Sequence, residues 1–277
     1  MLNELWPRRE LILSLVKRDL KTRYKGSVLG FLWSFCKPLL LMLVLYVVFA
    51  RFVDIRPATL MKTSFALFLL AGILSWSYLS GSISEAMFAI VNNASLVKKT
   101  YIPHEVFPVV SVLSNLFHFL LGLVVYLILL VCFGAWPTWH VVFVPLVIAV
   151  QTFLVLSLAL LLGALNVFYR DVASIMEIVL TAWFYLSPIL YPVGEPLRQI
   201  RASGWSEWLF SLYMLNPMAP ILAAYRKTLL LPQSGDTEIA AGPLATSLGV
   251  ALVSSAILFL IARAVFRHYA GRFADEV

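Results

Sequence analysis

Four basic residues near the start of the chain have the types and spacing of a phosphate-binding site. Lys21, Arg23 and Lys25 precede the first long apolar run, and Lys37 lies about two helical turns inside it. Ammonium and guanidinium groups donate charge-assisted hydrogen bonds to phosphate oxygens. Because an ionisable residue inside an apolar run is a functional candidate, we predict a site for a phosphate group arriving from the inner leaflet. The alternative is that Lys37 only extends its ammonium group to the membrane surface.

Aromatic residues form a second set with binding chemistry. They make up 14% of the chain, and eight of those inside or at the ends of apolar runs are candidates for binding. A ring with a polar group suits a lipid headgroup belt, and its apolar face also stacks on a sugar ring. Both interpretations stay open for any one residue, although the run Trp183-Phe184-Tyr185 lies far from either membrane surface. The candidates for a substrate lining are Trp33, Tyr46, Trp76, Tyr78, Trp183, Phe184, Tyr185 and Tyr191.

Motifs of common catalytic and metal chemistry do not occur in the sequence. There is no G-x-x-x-x-G-K-[ST] loop for ATP phosphates, no G-x-G-x-x-G and no H-E-x-x-H. The histidines lie far apart, and neither Cys36 nor Cys132 lies in a Cys-rich or His-rich segment. We therefore predict no catalytic residue and no metal ligand, and we expect the chain not to hydrolyse ATP by itself.

The elements that must position these residues are membrane helices. Of 277 residues, 61% are hydrophobic and 13% are charged, and the mean hydropathy is +0.91. Soluble chains contain about 45–50% apolar and about 25% charged residues. A soluble fold of this composition would lack the polar surface to cover itself, so we predict an all-α integral membrane protein. We attribute the net charge of +7 to cytoplasmic loops rather than to nucleic-acid binding.

Six apolar runs are long enough to cross about 30 Å of hydrocarbon. Residues 1–28 predict a cytoplasmic amphipathic interface helix, since apolar and basic residues recur at helical spacing. Within the outer region 191–242, two short apolar pieces at 205–215 and 219–231 predict re-entrant helices, with a small extracellular domain as the alternative. Residues 263–277 are a predicted cytoplasmic tail. The predicted spans are residues 29–50, 63–84, 108–133, 141–168, 172–190 and 243–262.

The distribution of Lys and Arg orients the chain. With the N-terminus inside, the inner segments contain about twice as many Lys and Arg residues as the outer segments. Six spans return the C-terminus to the same side. We therefore predict a multi-pass protein with both termini in the cytoplasm.

Several motifs together resemble one family of transporters. Residues 15–34 (LVKRDLKTRYKGSVLGFLWS), followed by Lys37-Pro38, are similar to the start of ABC-2 type permeases for cell-surface polysaccharides, most closely the O-antigen (lipopolysaccharide) permeases of the Wzm type. Shorter similar stretches are residues 95–103 (SLVKKTYIP), 166–171 (NVFYRD) and 186–192 (LSPILYP), with Asn216-Pro217 and Tyr225-Arg226 beyond them. The likeness covers nearly the whole chain.

This resemblance implies the six-span ABC-2 (type V exporter) fold in the bacterial inner membrane, with the two re-entrant outer helices around Asn216-Pro217. The subunit would pair with a second copy, form the channel between the copies, and bind two copies of a cytoplasmic ABC ATPase (Wzt-like). ATP and Mg²⁺ would belong to that ATPase, with no cofactor in this chain. The substrate would be a polysaccharide carried on undecaprenyl diphosphate among the membrane lipids, and the four basic residues would be the lipid-diphosphate entrance. ATPase movement would be transmitted through Glu85, Lys98, Lys99, Arg170 and Asp171.

Other classes fit the sequence less well. Teichoic acid and capsule permeases share the architecture, so the motifs leave the exported glycan open. An ion-coupled secondary transporter usually has paired acids or broken helices at mid-depth and repeated halves, which we do not find. A membrane transferase needs clustered acids or a nucleophile beside a base, whereas Glu195, Glu207 and Asp236 are widely separated.

Overall fold

The chain folds into a set of helices. The computed structural model describes residues 6–26, 32–52, 62–99, 102–136, 139–206, 208–230 and 244–276, and within these ranges no residue lies in a β-strand. The predicted all-α fold is therefore confirmed. The helices are α1 (Arg9–Tyr24), α2 (Trp33–Val47), α3 (Lys62–Ala89), α4 (Ala94–Lys99), α5 (Val106–Cys132), α6 (Val144–Phe168), α7 (Asp171–Leu186), α8 (Glu195–Ala202), α9 (Trp208–Tyr213), α10 (Met218–Leu229), α11 (Leu244–Tyr269) and α12 (Phe273–Glu276).

Within the part of the chain that the structure describes, five stretches are long and apolar enough to cross a membrane, and each overlaps a predicted span. They are Trp33–Ala50, Phe65–Ala89, Val106–Cys132, Trp139–Phe168 and Leu248–Arg272. The remaining predicted span, residues 172–190, overlaps α7, whose 16 residues extend roughly 24 Å. This helix ends because Ser187 precedes Pro188 and is extended, the conformation that residues before proline prefer. The count of six spans stays a prediction, and residues 29–31 and 243 lie outside the described residues.

The central helix is α3. Most of its span is buried, and it contacts α2, α5, α6, α7 and α10. Gly163 of α6 lies against its backbone, since a Cβ atom there would be 2.9 Å from the carbonyl oxygen of Ala86. Small residues allow this close approach between membrane helices. The side chains of α3 that do not pack tightly against a neighbouring helix are the ones that can line cavities.

Buried hydrogen bonds attach α6 and α10 to the centre of the bundle. Gln151 of α6 donates to the carbonyl oxygen of Ser75 at 2.8 Å, and the Tyr225 hydroxyl of α10 donates to Gln151 Oε1 at 2.7 Å. Asn166 Nδ2 donates to the carbonyl oxygen of Met87 at 2.9 Å. An unpaired polar group in hydrocarbon costs several kcal/mol, so these bonds fix the register of α6 against α3.

The N-terminal helix α1 is amphipathic, as the sequence predicts. Ile12 and Leu15 are buried against Val106 and Val110 of α5, whereas Lys17 is exposed. The apolar face of α1 therefore packs on protein. Its position at the membrane surface stays a prediction.

The predicted outer region 191–242 is described at residues 191–206 and 208–230, and these residues form three helices. The two predicted apolar pieces correspond to α9, in which no residue is buried, and to α10, which is buried almost throughout. The polar helix α8 was not predicted. Whether α9 and α10 re-enter the membrane stays a prediction, and residues 231–243 lie outside the described residues.

The C-terminal part of the chain packs against the connection between α4 and α5. Helix α11 continues to Tyr269, and Phe273 of α12 is fully buried. The Phe273 ring lies edge-on to His104, with 5.4 Å between the ring centres. The predicted tail is thus in contact with the segment that carries the predicted coupling residues.

Candidate functional site

Three cavities border the C-terminal half of α3. The first, of about 670 Å³, lies among α1, α2, α3 and α5. The second, of about 720 Å³, lies among α1, α3, α5 and residues 92–96. The third, of about 770 Å³, lies among α2, α3 and α7. Arg23 and Glu85 line both the first and the second cavity, and Ser77 lines both the first and the third.

An ion-pair network joins α1 to α3 where the first two cavities meet. Arg23 Nη1 donates to Glu85 Oε1 at 2.6 Å, and Nη2 donates to Glu85 Oε2. Arg23 Nε and Nη2 also donate to Asp19 Oδ2, at 3.0 and 2.8 Å. Asn115 of α5 donates to Glu85 Oε2 at 2.5 Å. Arg23, a predicted entrance residue, and Glu85, a predicted coupling residue, are therefore direct partners.

The electrostatics of this network favour the charged form of Arg23. Burial by itself lowers the pKa of Arg23, but attraction from Glu85 and from Asp19 outweighs burial, and the net shift is upward. The side chain of Arg23 is 23% exposed and that of Glu85 is 37% exposed. Both groups of the pair are therefore within reach of a charged molecule in either cavity.

Lys37 lines the first cavity together with Arg23. Helix α2 also presents Ser34, whose hydroxyl lies 3.3 Å from Nδ1 of His118 in α5. Two cationic groups and neutral hydrogen-bonding groups thus share one space with the Glu85 carboxylate, and the two cations are of the kind that binds phosphate oxygens.

The other two predicted entrance residues lie elsewhere. Lys21 and Lys25 are exposed and are not among the residues that line the three cavities. The structure therefore brings two of the four basic residues together. The phosphate-binding role of all four stays a prediction.

The third cavity is bordered by two polar stripes. It follows α3 from Phe88 to Trp76, a length of roughly 18 Å, and the residues of each stripe recur three or four positions apart. Residues with this spacing share one face of a helix. The stripe on α3 consists of Ser77, Ser80 and Ser84, and the stripe on α7 consists of Ser174, Glu177, Thr181 and Tyr185. Both helices therefore present hydroxyl groups to the same space.

Three of the predicted aromatic residues line one end of the third cavity. Trp76 lies edge-on to Phe184, with 5.8 Å between ring centres, and Phe184 lies edge-on to Tyr185 at 5.2 Å. Trp183 is also edge-on to Trp76, at 5.7 Å, and donates through Nε1 to Asn216 Oδ1 at 2.8 Å. Rings and hydroxyl groups around one space are the groups that bind sugars.

The other four aromatic candidates lie outside this group. Trp33 and Tyr78 line the first cavity, where Tyr78 is almost fully buried and stacked on Phe119 at 5.2 Å. Tyr46 packs near Phe65. The Tyr191 hydroxyl donates to the carbonyl oxygens of residues 185 and 186, both at 3.3 Å. A role for each of the eight rings in a substrate channel stays a prediction.

Comparison with known proteins places the chain in a family. Residues 10–230 match the ABC-2 type transporter family, which is most of the chain. The chain belongs to this family.

Relatives of this ABC-2 permease carry names from polysaccharide export. The chain is 34% identical over 277 residues to the O-antigen export system permease protein RfbA of Myxococcus xanthus, covering 100% of this chain and 99% of that relative. It is 29% identical over 219 residues to a protein of the same name from Klebsiella pneumoniae, covering 78% and 79% of the two chains. It is 25% identical over 222 residues to the polysialic acid transport protein KpsM of Escherichia coli, covering 78% and 80%. The chain is thus a membrane permease subunit.

The predicted coupling residues of the ABC-2 permease are separated in the structure. Lys98 is exposed on α4, and Arg170 and Asp171 are exposed where α7 begins. Glu85 belongs to the ion-pair network, not to this exposed group. The side chain of Lys99 lies outside the described residues. Coupling through these five residues stays a prediction.

Arg226 is a central residue of the outer region, and sequence reasoning noted it only as part of a motif. It is fully buried in α10, and its Nη2 and Nη1 donate to the carbonyl oxygens of Ile189 at 2.9 Å and Tyr191 at 3.3 Å. Asn216 adds a second link, because its Nδ2 donates to the Ser187 hydroxyl at 3.1 Å. These bonds attach the residues after α7 to α10 and to the turn before it.

Sequence reasoning also missed the two polar stripes of the third cavity. The sequence nevertheless contains a local signal for these two stripes. Polar residues three or four positions apart within an apolar run indicate a polar face on a buried or channel-lining helix.

Proposed function

We propose that this permease exports a polysaccharide attached to a lipid diphosphate across the bacterial inner membrane, through a channel between two copies of the chain. A separate cytoplasmic ABC ATPase supplies the energy. The names of the relatives support this proposal. The observation that carries it is the third cavity, where aromatic rings meet facing stripes of hydroxyl groups.

The polar stripe on α7 supports a water-filled channel. Glu177 and Thr181 are exposed on a helix that is otherwise mostly apolar. A carboxylate facing lipid tails is costly, and ionisable residues in membrane proteins usually face a bundle interior or an aqueous cavity. The stripe therefore faces the polymer and its water rather than lipid.

The exposure of α2 and α7 supports a second copy. Only 11% of the α2 span is buried, and one residue of α7, Leu180, is buried. The third cavity lies between these two helices and α3. A second copy placed against α2 and α7 encloses the cavity on its open side and turns it into a channel.

The chemistry of the lining supports sliding rather than tight binding. Hydroxyl groups exchange hydrogen bonds with sugars and water at little net cost, about 1 kcal/mol each. Stacking on a ring adds about 0.5–1.5 kcal/mol and does not depend on one sugar orientation. Several weak contacts along roughly 18 Å allow a polymer to move from one set to the next.

The first cavity supports a lipid-diphosphate entrance. Arg23 and Lys37 line it, and it meets the third cavity at Ser77. A diphosphate bound by the two cations then lies beside the place where its sugar chain enters the channel.

A capsule polysaccharide is a second candidate, because one relative is named a polysialic acid transport protein. The position of Glu177 in the third cavity argues against a strongly acidic polymer. Two like charges about 4 Å apart repel by about 1 kcal/mol in water and by more where water is excluded. A neutral or weakly charged glycan therefore fits this lining better.

The proposal is tested by changing the polar stripe on α7 in a strain that lacks the chromosomal copy of the permease. Thr181→Leu and Tyr185→Ala each remove one contact with the sugar chain, and we expect about tenfold less polysaccharide at the cell surface. Surface polysaccharide is measured by immunoblotting of cell-envelope extracts. The amount of permease is measured in the same membranes.

Ile257→Ala is the matched control. Ile257 is 55% exposed on α11, lines none of the three cavities and lies outside the helices proposed to meet the second copy, so export should be unchanged. Normal export by both stripe variants at wild-type protein level would overturn the proposed channel lining. Transport of polymer by the purified chain without any ATPase would overturn the proposed energy source.

A further inference from the structure

The Arg23–Glu85 ion pair separates two cavities. Among the described residues that line them, Arg23 and Glu85 are the ones shared by the first and second cavities. The first cavity contains Lys37 and the side chains of α2, whereas the second contains Arg18 and the residues that follow α3. The pair therefore forms the wall between them.

Carboxylates already occupy the anion-binding face of Arg23. Its two terminal nitrogens donate to both oxygens of Glu85, and Nε and Nη2 donate to Asp19. A guanidinium binds phosphate through the same pair of parallel N–H donors. A phosphate group that enters the first cavity thus meets a site whose geometry suits it but whose donors are engaged.

We propose that Glu85 is a displaceable counter-ion of Arg23, and that a lipid-borne diphosphate takes its place. This inference rests on the proposed function. The diphosphate binds Arg23 and Lys37, and Glu85 moves to the side of the second cavity. Loss of the ion pair opens the wall and loosens α1 from α3.

The formal charges at the site explain why Glu85 must move before a diphosphate binds. Asp19, Arg23, Lys37 and Glu85 carry formal charges that cancel, so the site as it stands offers no net attraction to an anion. When Glu85 leaves, the remaining three groups carry one net positive charge. Electrostatic attraction in a partly buried site is several times stronger than in water, so this difference decides whether a diphosphate binds.

The second cavity contains a partner for the displaced carboxylate. Arg18 of α1 lines this cavity and donates to Asn93 Oδ1 at 2.7 Å. Asn93 directly precedes α4, which carries the predicted coupling residue Lys98. A carboxylate that pairs with Arg18 competes with Asn93, so occupancy of the first cavity is transmitted to the segment predicted to contact the ATPase.

The test measures ATP hydrolysis by the purified permease–ATPase complex in lipid nanodiscs as farnesyl diphosphate is added. Farnesol, which has the same chain without phosphate, gives the background. We expect Glu85→Gln to lower the half-maximal concentration of farnesyl diphosphate about tenfold and to raise hydrolysis without ligand toward the stimulated wild-type rate. A purely structural role for Glu85 predicts weaker stimulation.

Asp19→Asn provides a second variant if Glu85→Gln does not fold. Asp19 lies on the same helix as Arg23, and its neutralisation frees part of Arg23 while the Glu85 pair between α1 and α3 stays in place, so we expect a smaller decrease of about threefold. Glu195→Gln is the matched control, because Glu195 also pairs with an arginine but lies in the outer region, and it should leave the response unchanged.

The outcomes distinguish the two proposals. If Lys37→Gln weakens the response to farnesyl diphosphate but neither Glu85→Gln nor Asp19→Asn strengthens it, the displaceable counter-ion is overturned and the lipid-diphosphate entrance stands. If neither the wild type nor any variant responds, both are overturned.

Discussion

Replacing Arg226 with alanine should destabilise the outer region more than any change at its surface. The guanidinium carbon lies 3.5 Å from the centre of the Phe68 ring of α3, and the two terminal nitrogens bind carbonyl oxygens of Ile189 and Tyr191. One side chain thus connects α10, α3 and the residues after α7. Its removal affects all three contacts at once.

The expected loss in the free energy of unfolding can be worked out from the contacts that alanine removes. A hydrogen bond from a charged group contributes about 1.5–3 kcal/mol, and a desolvated cation–π contact contributes about 2 kcal/mol. The cost of burying the cation offsets part of this sum. Removing one partner of a buried charged contact typically costs about 3–5 kcal/mol, and we expect Arg226→Ala to fall in that range. At about 2–4 °C per kcal/mol, the midpoint of thermal unfolding should fall by roughly 10 °C.

The assay is thermal unfolding of the purified permease in detergent, followed by tryptophan fluorescence. Arg198→Ala is the matched control, because Arg198 forms an exposed pair with Glu195 at 3.5 Å, and such pairs contribute about 0–1 kcal/mol. Arg226→Lys keeps the charge but loses the two-pronged donor, so its midpoint should lie between the other two. The reasoning is refuted if Arg226→Ala unfolds within about 2 °C of Arg198→Ala.

Two further predictions concern helix contact and pH. Gly163→Ala should lower the unfolding midpoint, because its Cβ would lie 2.9 Å from the Ala86 carbonyl oxygen and overpacking costs about 1–3 kcal/mol. Gly249→Ala, whose Cβ meets no atom within 4 Å, is the control, and equal shifts would contradict this explanation. Burial lowers the pKa of His104, so its contact with Phe273 is fully stable above the ordinary pKa of about 6.5 and weakens as pH falls below it. Hydrogen-exchange protection in residues 270–276, corrected for the pH dependence of the intrinsic exchange rate, should decrease from pH 7.5 to pH 5.5, and His104→Gln, which cannot titrate, should abolish that decrease; a variant with unchanged pH dependence of protection would disprove the role of His104.

The helices themselves were largely predictable, because the signals that define them are local. Each of the five membrane-crossing stretches is an apolar run long enough for about 30 Å of hydrocarbon. The helix α8 also had a local signal that was not used. Gly194 precedes it, Pro196 occupies its first turn, and Arg201 lies in its last turn. Proline in the first turn and a basic residue in the last are typical of helix ends.

The central position of α3 was not predictable in the same way. The run in α3 is the least apolar of the five, but a lower hydropathy does not say which helices pack around it. The central position of α3 depends on hydrogen bonds between residues far apart in sequence, such as those from Gln151 to Ser75 and from Asn166 to Met87. Such contacts form only once the helices are packed.

The partnership of Arg23 and Glu85 illustrates the same limit at the candidate site. The two residues are 62 positions apart, and each has a reasonable separate role when it is considered with its own neighbours. The sequence therefore predicts one as an entrance residue and the other as a coupling residue. The two residues become partners only in the folded structure, where α1 and α3 meet beside α5.

The contacts of α3 with α6 and with α1 differ in kind, and the difference indicates which one a charged ligand can break. A buried hydrogen bond from Gln151 to the carbonyl oxygen of Ser75 holds α6, and neither group is charged. The contact with α1 depends on an ion pair whose side chains are 23% and 37% exposed. Partly exposed pairs contribute about 0–1 kcal/mol, whereas a buried amide left without a partner costs about 1–3 kcal/mol. An anion therefore separates α1 from α3 at lower cost than it could separate α6, so the central helix and its hydroxyl stripe keep their positions while access to them changes.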